Sequence, residues 1–155
     1  MSAIPHLLIV EAPYYTAIAE ELRAGAVEAL VAEGATYEVV QVPGAFEIPA
    51  AIAHAAGLHV QSGYARPRPY DGFVALGCVI RGETTHYDYV CGESARGLQD
   101  LALRHGLAIG FGILTTENGD QAWARAARDK KNKGAEAVRA ALAMIRLRTR
   151  YSTSV

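Results

Sequence analysis

A histidine follows a short run of polar residues where an apolar stretch near the middle of the chain ends. Residues 73–80 are apolar throughout apart from one glycine, which is typical of a strand buried on both faces of a sheet. Gly82 breaks this run, and a carboxylate, hydroxyl groups and the imidazole of His86 follow it. In open parallel α/β sheets, ligands bind beyond the carboxyl ends of the strands. The stretch therefore predicts either a reactive site or an ordinary strand-to-helix loop, and alone it does not decide between them.

His86 has the strongest case for acid–base chemistry. We expect it at the start of a helix, where the local dipole favours the neutral imidazole. An imidazole that titrates near physiological pH can both accept and donate a proton. A surface histidine at a helix start is the ordinary alternative, and a single residue does not separate the two interpretations.

Backbone N–H groups at the same turn could hold an anion. The start of a helix leaves such donors without an intrahelical acceptor, and here they would belong to Glu83, Thr84 and Thr85. Arg125 and Lys133 are expected on or just after a later helix, where they could add positive charge and a bidentate guanidinium. For a basic run such as 128–133, a solvated helix face is the ordinary alternative.

Residues 43–49 form a second unusual stretch. Its small residues would let the backbone approach a flat ligand, and Glu47 could accept hydrogen bonds from hydroxyl groups. An ordinary turn is the alternative, with Glu47 favoured at a helix N-terminus by its charge. Tyr14 and Phe111 could stack on a planar ring, although most aromatic side chains at such places only pack.

Several common kinds of site are missing from the sequence. There is no Walker-type phosphate loop, and no dinucleotide-binding fingerprint follows the first predicted strand. The five histidines are scattered, without a His-Glu-x-x-His or a Cys-x-x-Cys pattern, so we expect no metal. A formal net charge of −1 gives no support for nucleic-acid binding.

The sequence also bears on where the protein works. No stretch approaches the ~20 consecutive apolar residues that cross a bilayer, and the N-terminus lacks the pattern of a signal peptide. We therefore expect no contact with a membrane. Cys78 and Cys91 are the only cysteines, which predicts free thiols in a reducing cytoplasm.

Strands and helices are predicted to alternate along residues 1–155, which we expect to form a single domain. The predicted strands are 7–10, 37–42, 73–80 and 108–114, and the predicted helices are 15–33, 46–56, 86–105, 119–131 and 134–148. Residues 57–71 are predicted to be an exposed loop, and 151–155 a frayed tail. This alternation favours a parallel sheet with helices on both faces. The strand ends would then gather Tyr14 with residues 43–47, 80–86 and 115–118 along one edge.

The polar stretches also match one known family in order and spacing over nearly the whole chain. The matching residues are 42–49, 76–86, 111–118, 121–122 with Arg125, and 132–134. In this combination the chain resembles the 6,7-dimethyl-8-ribityllumazine synthase family. The resemblance implies a three-layer α/β/α sandwich around a four-stranded parallel, flavodoxin-like sheet. It also implies that the N-terminal segment adds to the sheet of a neighbouring subunit.

The activity implied by the resemblance is that of a transferase in riboflavin biosynthesis. It would condense 5-amino-6-(D-ribitylamino)uracil with 3,4-dihydroxy-2-butanone 4-phosphate, giving 6,7-dimethyl-8-ribityllumazine, phosphate and water in the penultimate step. By analogy the amine forms an imine with the ketone, phosphate is eliminated and the ring closes. No cofactor is expected. Both substrates are already reactive, so holding them together beside one acid–base group supplies much of the acceleration.

The resemblance further assigns roles to the pyrimidine end of the site. Tyr14 stands where the family stacks an aromatic ring on the pyrimidine. The other residues implied to contact this substrate are Ala45, Phe46 and Glu47 along the ribityl chain and Cys78, Val79 and Ile80 around the ring.

At the phosphate end, the resemblance implies that Glu83 and Thr84 offer backbone N–H groups and that Arg125 grips the phosphate. His86 is implied to be the catalytic proton shuttle. Phe111 and Lys133 are implied to complete the site from a neighbouring subunit. The small-molecule substrates would then bind between copies of a homo-oligomer.

The sequence departs from the family pattern in three respects. Tyr14 replaces the commoner phenylalanine, which should preserve stacking, and Tyr15 follows where asparagine is frequent. The linker between the last two helices, Ala-Ala-Arg-Asp-Lys-Lys, lacks the glycines seen in shell-forming members. This stiffer linker and the loop at 57–71 favour free pentamers over icosahedral shells built from pentamers.

Two other functions stay open on the sequence alone. A flavin or lumazine carrier on a flavodoxin-like fold would bind its ligand without turnover, although a carrier has no need of His86. An inactive assembly protein would bind neither substrate. Formation of lumazine with release of phosphate would separate the transferase from both.

Overall fold

A computed structural model describes residues 3–59 and 69–152 of the chain. Its centre is a four-stranded parallel sheet with the strand order β2-β1-β3-β4. The strands are His6–Glu11 (β1), Thr36–Gln41 (β2), Gly72–Ile80 (β3) and Ile109–Thr116 (β4). The helices are Thr16–Ala32 (α1), Ile48–Ala55 (α2), His86–His105 (α3), Gly119–Ala126 (α4) and Lys133–Ser152 (α5). A 3₁₀ turn, Ala45–Glu47, precedes α2. The predicted α/β architecture is confirmed.

Alternate side chains of the central strands point to opposite faces of the sheet, and each face has its own apolar core. On one face Ile9 and Val74 pack beneath α1, α4 and α5, against residues such as Leu142. On the other face Val10 and Phe73 pack beneath α2 and α3. Each such fully buried aliphatic or aromatic side chain contributes about 1.5–3 kcal/mol relative to an exposed one. Helices therefore cover both faces, which leaves the strand ends and the edges of the sheet as the places for a site.

Glycines let α5 approach the sheet and α1 at the level of the backbone. A Cβ atom on Gly110 would lie 1.9 Å from the carbonyl oxygen of Ala137 on α5. A Cβ atom on Gly134 would lie 2.1 Å from the carbonyl oxygen of Leu22 on α1. Glycines within a strand often mark such close approach by another group. Here the group that approaches β4 is the α5 backbone.

The last two helices differ from their predicted lengths. Helix α4 ends at Ala126 rather than near residue 131, because Ala127 adopts extended backbone angles and the chain then turns. Asn132 closes this turn at a positive φ of 47°. Helix α5 continues through Tyr151 to Ser152, so the frayed tail is a wrong prediction for those residues. Residues 153–155 lie outside the described part of the chain.

Two further predictions concern segments at or beyond the limits of the described residues. Of the loop predicted at 57–71, residues 60–68 lie outside the described ranges. The N-terminal segment enters β1 from irregular backbone at residues 3–5, and its addition to a neighbour's sheet stays a prediction. Within residues 3–59 and 69–152, no helix is both long and apolar enough to cross a membrane.

The contact between Gly110 and α5 predicts a specific sensitivity of the fold. Substituting Gly110→Ala should lower the free energy of unfolding by about 1–3 kcal/mol, because the methyl group forces α5 away from β4. Equilibrium denaturation at a fixed protein concentration measures this change.

Gly92→Ala is the matched control, since a Cβ atom at Gly92 on α3 meets nothing within 4 Å. This substitution should leave the free energy of unfolding unchanged or raise it by up to about 1 kcal/mol, because alanine has a higher helix propensity than glycine. Equal effects of the two substitutions would contradict the packing argument.

Candidate active site

An open cleft of ≈ 560 Å³ lies beyond the carboxyl ends of β1 and β3. It is bounded by the segment after β1, by the 3₁₀ turn and by the start of α3. The predicted site residues that line it are Tyr14, Ala45, Phe46, Glu47, Cys78, Val79, Ile80 and His86. Parallel strands bring these separate segments to one edge of the sheet, as the sequence predicted.

Two aromatic side chains stand unusually open at the mouth of this cleft. Tyr14 is 76% exposed and Phe46 is 55% exposed. Tyr15 supports Tyr14 through an edge-to-face contact with ring centroids 4.9 Å apart. Ala45, by contrast, is buried and lets the 3₁₀ turn sit against the sheet. An aromatic rim above a floor of small residues is suited to a planar ligand.

The last residues of β3 form the inner wall of the cleft. Cys78, Val79 and Ile80 are each partly exposed, whereas the strand before them is buried. Burial raises the pKa of the Cys78 thiol to about 11, against a smaller lowering by its hydrogen bond with Thr116. The thiol is therefore neutral at physiological pH and contributes an apolar wall rather than a nucleophile.

His86 is the first residue of α3 and faces the cleft from an exposed position. Its backbone N–H donates to the Thr84 hydroxyl at 3.3 Å. Glu83 and Thr84 lie on the preceding turn, beside the cleft rather than in its lining. Among the described residues, the backbone N–H groups of Glu83 and Thr84 have no acceptor. The turn thus presents free donors next to an imidazole, an arrangement that suits an anion.

Arg81 holds this turn in place, a role that sequence reasoning missed. Its backbone N–H donates to the Thr116 carbonyl at 2.9 Å, and its Nε donates to Glu117 Oε2 at 2.8 Å. The guanidinium also lies over the Tyr87 ring, 4.2 Å from the centroid. The hydrogen bond to Glu117 raises the pKa of Arg81. The Arg81–Glu117 pair joins the β3–α3 turn to the β4–α4 loop. Because the two residues are 36 positions apart in the chain, no local sequence pattern predicts that they meet.

Phe111, Arg125 and Lys133 lie together in a different place, a surface hollow of ≈ 400 Å³. This hollow is formed by β4 with α4 and α5. Phe111 is 52% exposed, Lys133 Nζ pairs with Glu136 Oε2 at 2.8 Å, and the Arg125 guanidinium donates to the Gln121 carbonyl at 3.0 Å. Within one chain these three residues therefore do not share the cleft that holds His86.

A buried carboxylate behind the cleft was also missed. Glu11 ends β1 and is 1% exposed. Its Oε1 accepts from Arg23 at 2.5 Å and from Gln41 at 2.8 Å, while its Oε2 has no partner among the described residues. The Glu11 carboxylate ties α1 and β2 to the end of β1, directly before the segment that carries Tyr14.

The fold is that of a flavodoxin-like α/β protein, and the cleft at the carboxyl edge of its sheet is a candidate site for small molecules. Residues 5–149 match the family model described as 6,7-dimethyl-8-ribityllumazine synthase. The chain belongs to this family.

Curated relatives agree with this assignment. The 6,7-dimethyl-8-ribityllumazine synthase of Agrobacterium fabrum is 58% identical over 144 residues, covering 93% of this chain and 95% of the relative. The protein named 6,7-dimethyl-8-ribityllumazine synthase 1 of Rhizobium meliloti is 57% identical over 145 residues, which cover 94% of this chain and 92% of the relative. The 6,7-dimethyl-8-ribityllumazine synthase of Bartonella bacilliformis is 54% identical over 147 residues, which cover 95% of this chain and 92% of the relative.

The environment of Cys78 predicts slow alkylation of this thiol. A rise in pKa from 9.0 to about 11 lowers the thiolate fraction at pH 8 about a hundredfold. The higher basicity of the remaining thiolate recovers about tenfold in nucleophilicity, so the net rate should fall at least about tenfold. By linkage, stability should decline as the pH rises from 9.0 toward about 11, because the unfolded thiol loses its proton first.

Timed iodoacetamide labelling followed by mass spectrometry checks the rate on a Cys91→Ser variant, in which Cys78 is the remaining thiol. The same variant unfolded in guanidinium serves as the reference. Equal rates in the folded and unfolded chains would refute the effect of burial.

Proposed function

We propose that this protein makes 6,7-dimethyl-8-ribityllumazine from 5-amino-6-(D-ribitylamino)uracil and 3,4-dihydroxy-2-butanone 4-phosphate. The observation that carries the proposal is the convergence of Tyr14, Glu47 and His86 on one cleft in a chain of this family. The activity is that of a transferase in riboflavin biosynthesis. Residues 1–155 would form one domain with this activity.

The pyrimidine substrate would lie along the cleft, with each part of it beside a different group of lining residues. The exposed Tyr14 ring would stack on the pyrimidine, and Cys78 to Ile80 would line the ring pocket with neutral groups. The 3₁₀ turn would hold the ribityl chain, with the Glu47 carboxylate accepting hydrogen bonds from its hydroxyls. Phe46 would cover the same chain from the rim of the cleft.

The phosphate-bearing ketone would bind at the start of α3. The backbone donors of Glu83 and Thr84 precede His86 on the same turn, and the helix N-terminus favours negative charge. The Arg125 guanidinium would add a bidentate clamp on the phosphate. Held in this way, the reacting carbonyl lies near the pyrimidine amine, which supplies the advantage of proximity.

The reaction would then need one mobile proton carrier. The pyrimidine 5-amino group attacks the ketone, and loss of water gives an imine. A proton leaves the neighbouring carbon as phosphate departs from the terminal carbon, and the resulting enol becomes a ketone with a new methyl group. The ribitylamino nitrogen attacks this ketone, and a second water is lost as the ring closes. The His86 imidazole would accept and return these protons, while the turn donors and Arg125 stabilise the departing phosphate.

The site would lie between two copies of the chain. Arg125, Lys133 and Phe111 sit outside the His86 cleft of their own chain, so a neighbour would deliver them. Strand β4 is an edge strand of the sheet, and exposed apolar side chains continue from it across α3 and α5. These side chains are Leu103, Phe111, Met144, Leu147 and Tyr151. Such a face is suited to burial against another copy.

We favour a homopentamer as the assembly. The linker after α4 has no glycine and is held against α1, which supports one fixed geometry of assembly rather than an adaptable one.

The unpaired Cys78 and Cys91 thiols support a reducing cytoplasm as the place of action.

Single substitutions should separate the two ends of the site. His86→Ala should lower kcat by about a hundredfold, the low end of general acid–base effects, because the substrates are already reactive. Arg125→Ala should chiefly raise the Michaelis constant for the phosphate-bearing ketone, about tenfold or more, because a charge-assisted clamp is lost. Lumazine absorbance and released phosphate measure both effects. An unchanged Michaelis constant in Arg125→Ala would remove Arg125 from the phosphate site.

A site shared between copies predicts complementation between two impaired variants. His86→Ala and Arg125→Ala chains, refolded together in equal amounts, should regain about a quarter of the wild-type sites, since each site draws one residue from each of two copies. The assay uses the ketone well below its Michaelis constant, so that the raised Michaelis constant lowers the rate of Arg125→Ala alone about tenfold or more. Each variant refolded alone is the control. No recovery in the mixture would place both residues in one chain and contradict the shared site.

A further inference from the structure

The segment between α4 and α5 is fastened to α1 at successive points. We call residues 127–132 the α4–α5 linker. It joins the helix that carries Arg125 to the helix that begins with Lys133. Since both residues belong to the phosphate end of the proposed site, the path of this linker decides where both cations stand.

Arg128 provides the first fastening point. Its Nε and its backbone N–H each donate to Glu21 Oε2 at 3.0 Å, and its Nη2 donates to Glu21 Oε1 at 3.2 Å. Its remaining terminal nitrogen, Nη1, donates to Glu28 Oε1 at 2.5 Å. Hydrogen bonds from Arg128 lower the pKa of Glu21. The planar fork therefore joins the linker to two turns of α1 at once, a geometry that lysine cannot reproduce.

Asn132 and Gly134 pack closely against α1, and Asn132 Oδ1 is buried there without a hydrogen-bond partner among the described residues. A Cβ atom on Gly25 of α1 would lie 2.1 Å from Asn132 Oδ1, so the absence of that atom makes room for the asparagine side chain. Gly134 in turn rests against the Leu22 carbonyl of α1. Lys133 thus lies between two residues that pack against α1.

The groups on α1 that receive the linker lie on one face of the helix. Glu21, Gly25 and Glu28 are spaced four and three residues apart, which places them in a row along the axis. Arg128 spans the two ends of this row, and Asn132 enters its middle. The linker is therefore docked along a length of helix rather than at one hinge.

We propose that Arg128 is a positioning residue for the phosphate end of the active site. By clamping the linker to Glu21 and Glu28 on α1, it fixes the positions from which Arg125 and Lys133 reach the phosphate of the substrate. This inference rests on the proposed function. Arg128 itself does not line the hollow that contains Arg125 and Lys133, so it acts through them.

The test compares steady-state kinetics of wild type and Arg128→Ala with both substrates. In Arg128→Ala the Michaelis constant for the phosphate-bearing ketone should rise about tenfold, because a linker released from α1 no longer holds Arg125 and Lys133 at the phosphate. Inhibition by inorganic phosphate should weaken by a similar factor. The Michaelis constant for the pyrimidine should stay within about twofold of wild type, because the Tyr14 end of the site is untouched.

Arg128→Lys separates positioning from charge. It keeps the positive charge and loses the planar fork, so its Michaelis constant for the ketone should lie close to that of Arg128→Ala. Full recovery of the wild-type value by lysine would overturn the proposal, since charge alone would then explain the effect. Equal increases in the Michaelis constants for both substrates would also overturn it, because that pattern indicates general loosening.

Arg146→Ala is the matched control. Arg146 on α5 pairs with Glu33 just beyond the end of α1 at 2.7 Å, and its loss should leave all constants unchanged. If Arg128→Ala fails to fold, Glu28→Gln removes one exposed arm of the clamp and should raise the same Michaelis constant about threefold. An unchanged constant in that variant would count against the clamp. Wild type without lumazine formation would refute the proposed function, whereas active wild type with unaltered Arg128 variants would refute only the positioning role.

Discussion

The backbone contact of α5 with β4 and α1 is the constraint on which the rest of the structure depends. Gly110 and Gly134 each leave room for a carbonyl oxygen that a methyl group would exclude. Because α5 begins at Lys133, the depth at which this helix sits also sets the position of that ammonium group. The same contact brings Phe111, the next residue on β4, beside α5. The close approach of α5 to β4 therefore determines both the packing of this edge and the positions of Lys133 and Phe111.

The order of elements and the contents of the cleft could be predicted from the sequence because the responsible signals are local. Apolar runs mark the strands, and parallel pairing then brings their polar ends together. The end of α4 could not be predicted, since neither glycine nor proline stands at Ala127. There the chain leaves the helix beside a tertiary contact, the hydrogen bond that the Arg128 backbone N–H donates to Glu21 Oε2 on α1. Arg81 and Arg128 were likewise missed, because the sequence does not say which distant carboxylate a surface guanidinium will meet.

The two ends of the proposed site are built in different ways. The pyrimidine end rests on strand termini and a 3₁₀ turn whose residues pack into the core, as the buried Ala45 shows. The phosphate end rests on helix starts and on a linker held by ion pairs, with Arg128 42% exposed at its side chain. Rigid packing suits the recognition of a flat ring, whereas charged groups near the surface suit the entry and departure of phosphate.

Strand β4 connects the proposed assembly with the proposed chemistry. As an edge strand it offers unpaired backbone groups next to the exposed Phe111 ring, a combination that a lone chain would have to protect. If another copy covered this edge, the unpaired backbone groups and the Phe111 ring would be protected. The same contact would bring Arg125 and Lys133 of one copy to the backbone donors before His86 of the other. A chain kept apart from its neighbours would then retain a pyrimidine pocket and lose most of its hold on phosphate. Assembly would act as a catalytic requirement in such a protein, because the same surface that needs burial also supplies the missing cations.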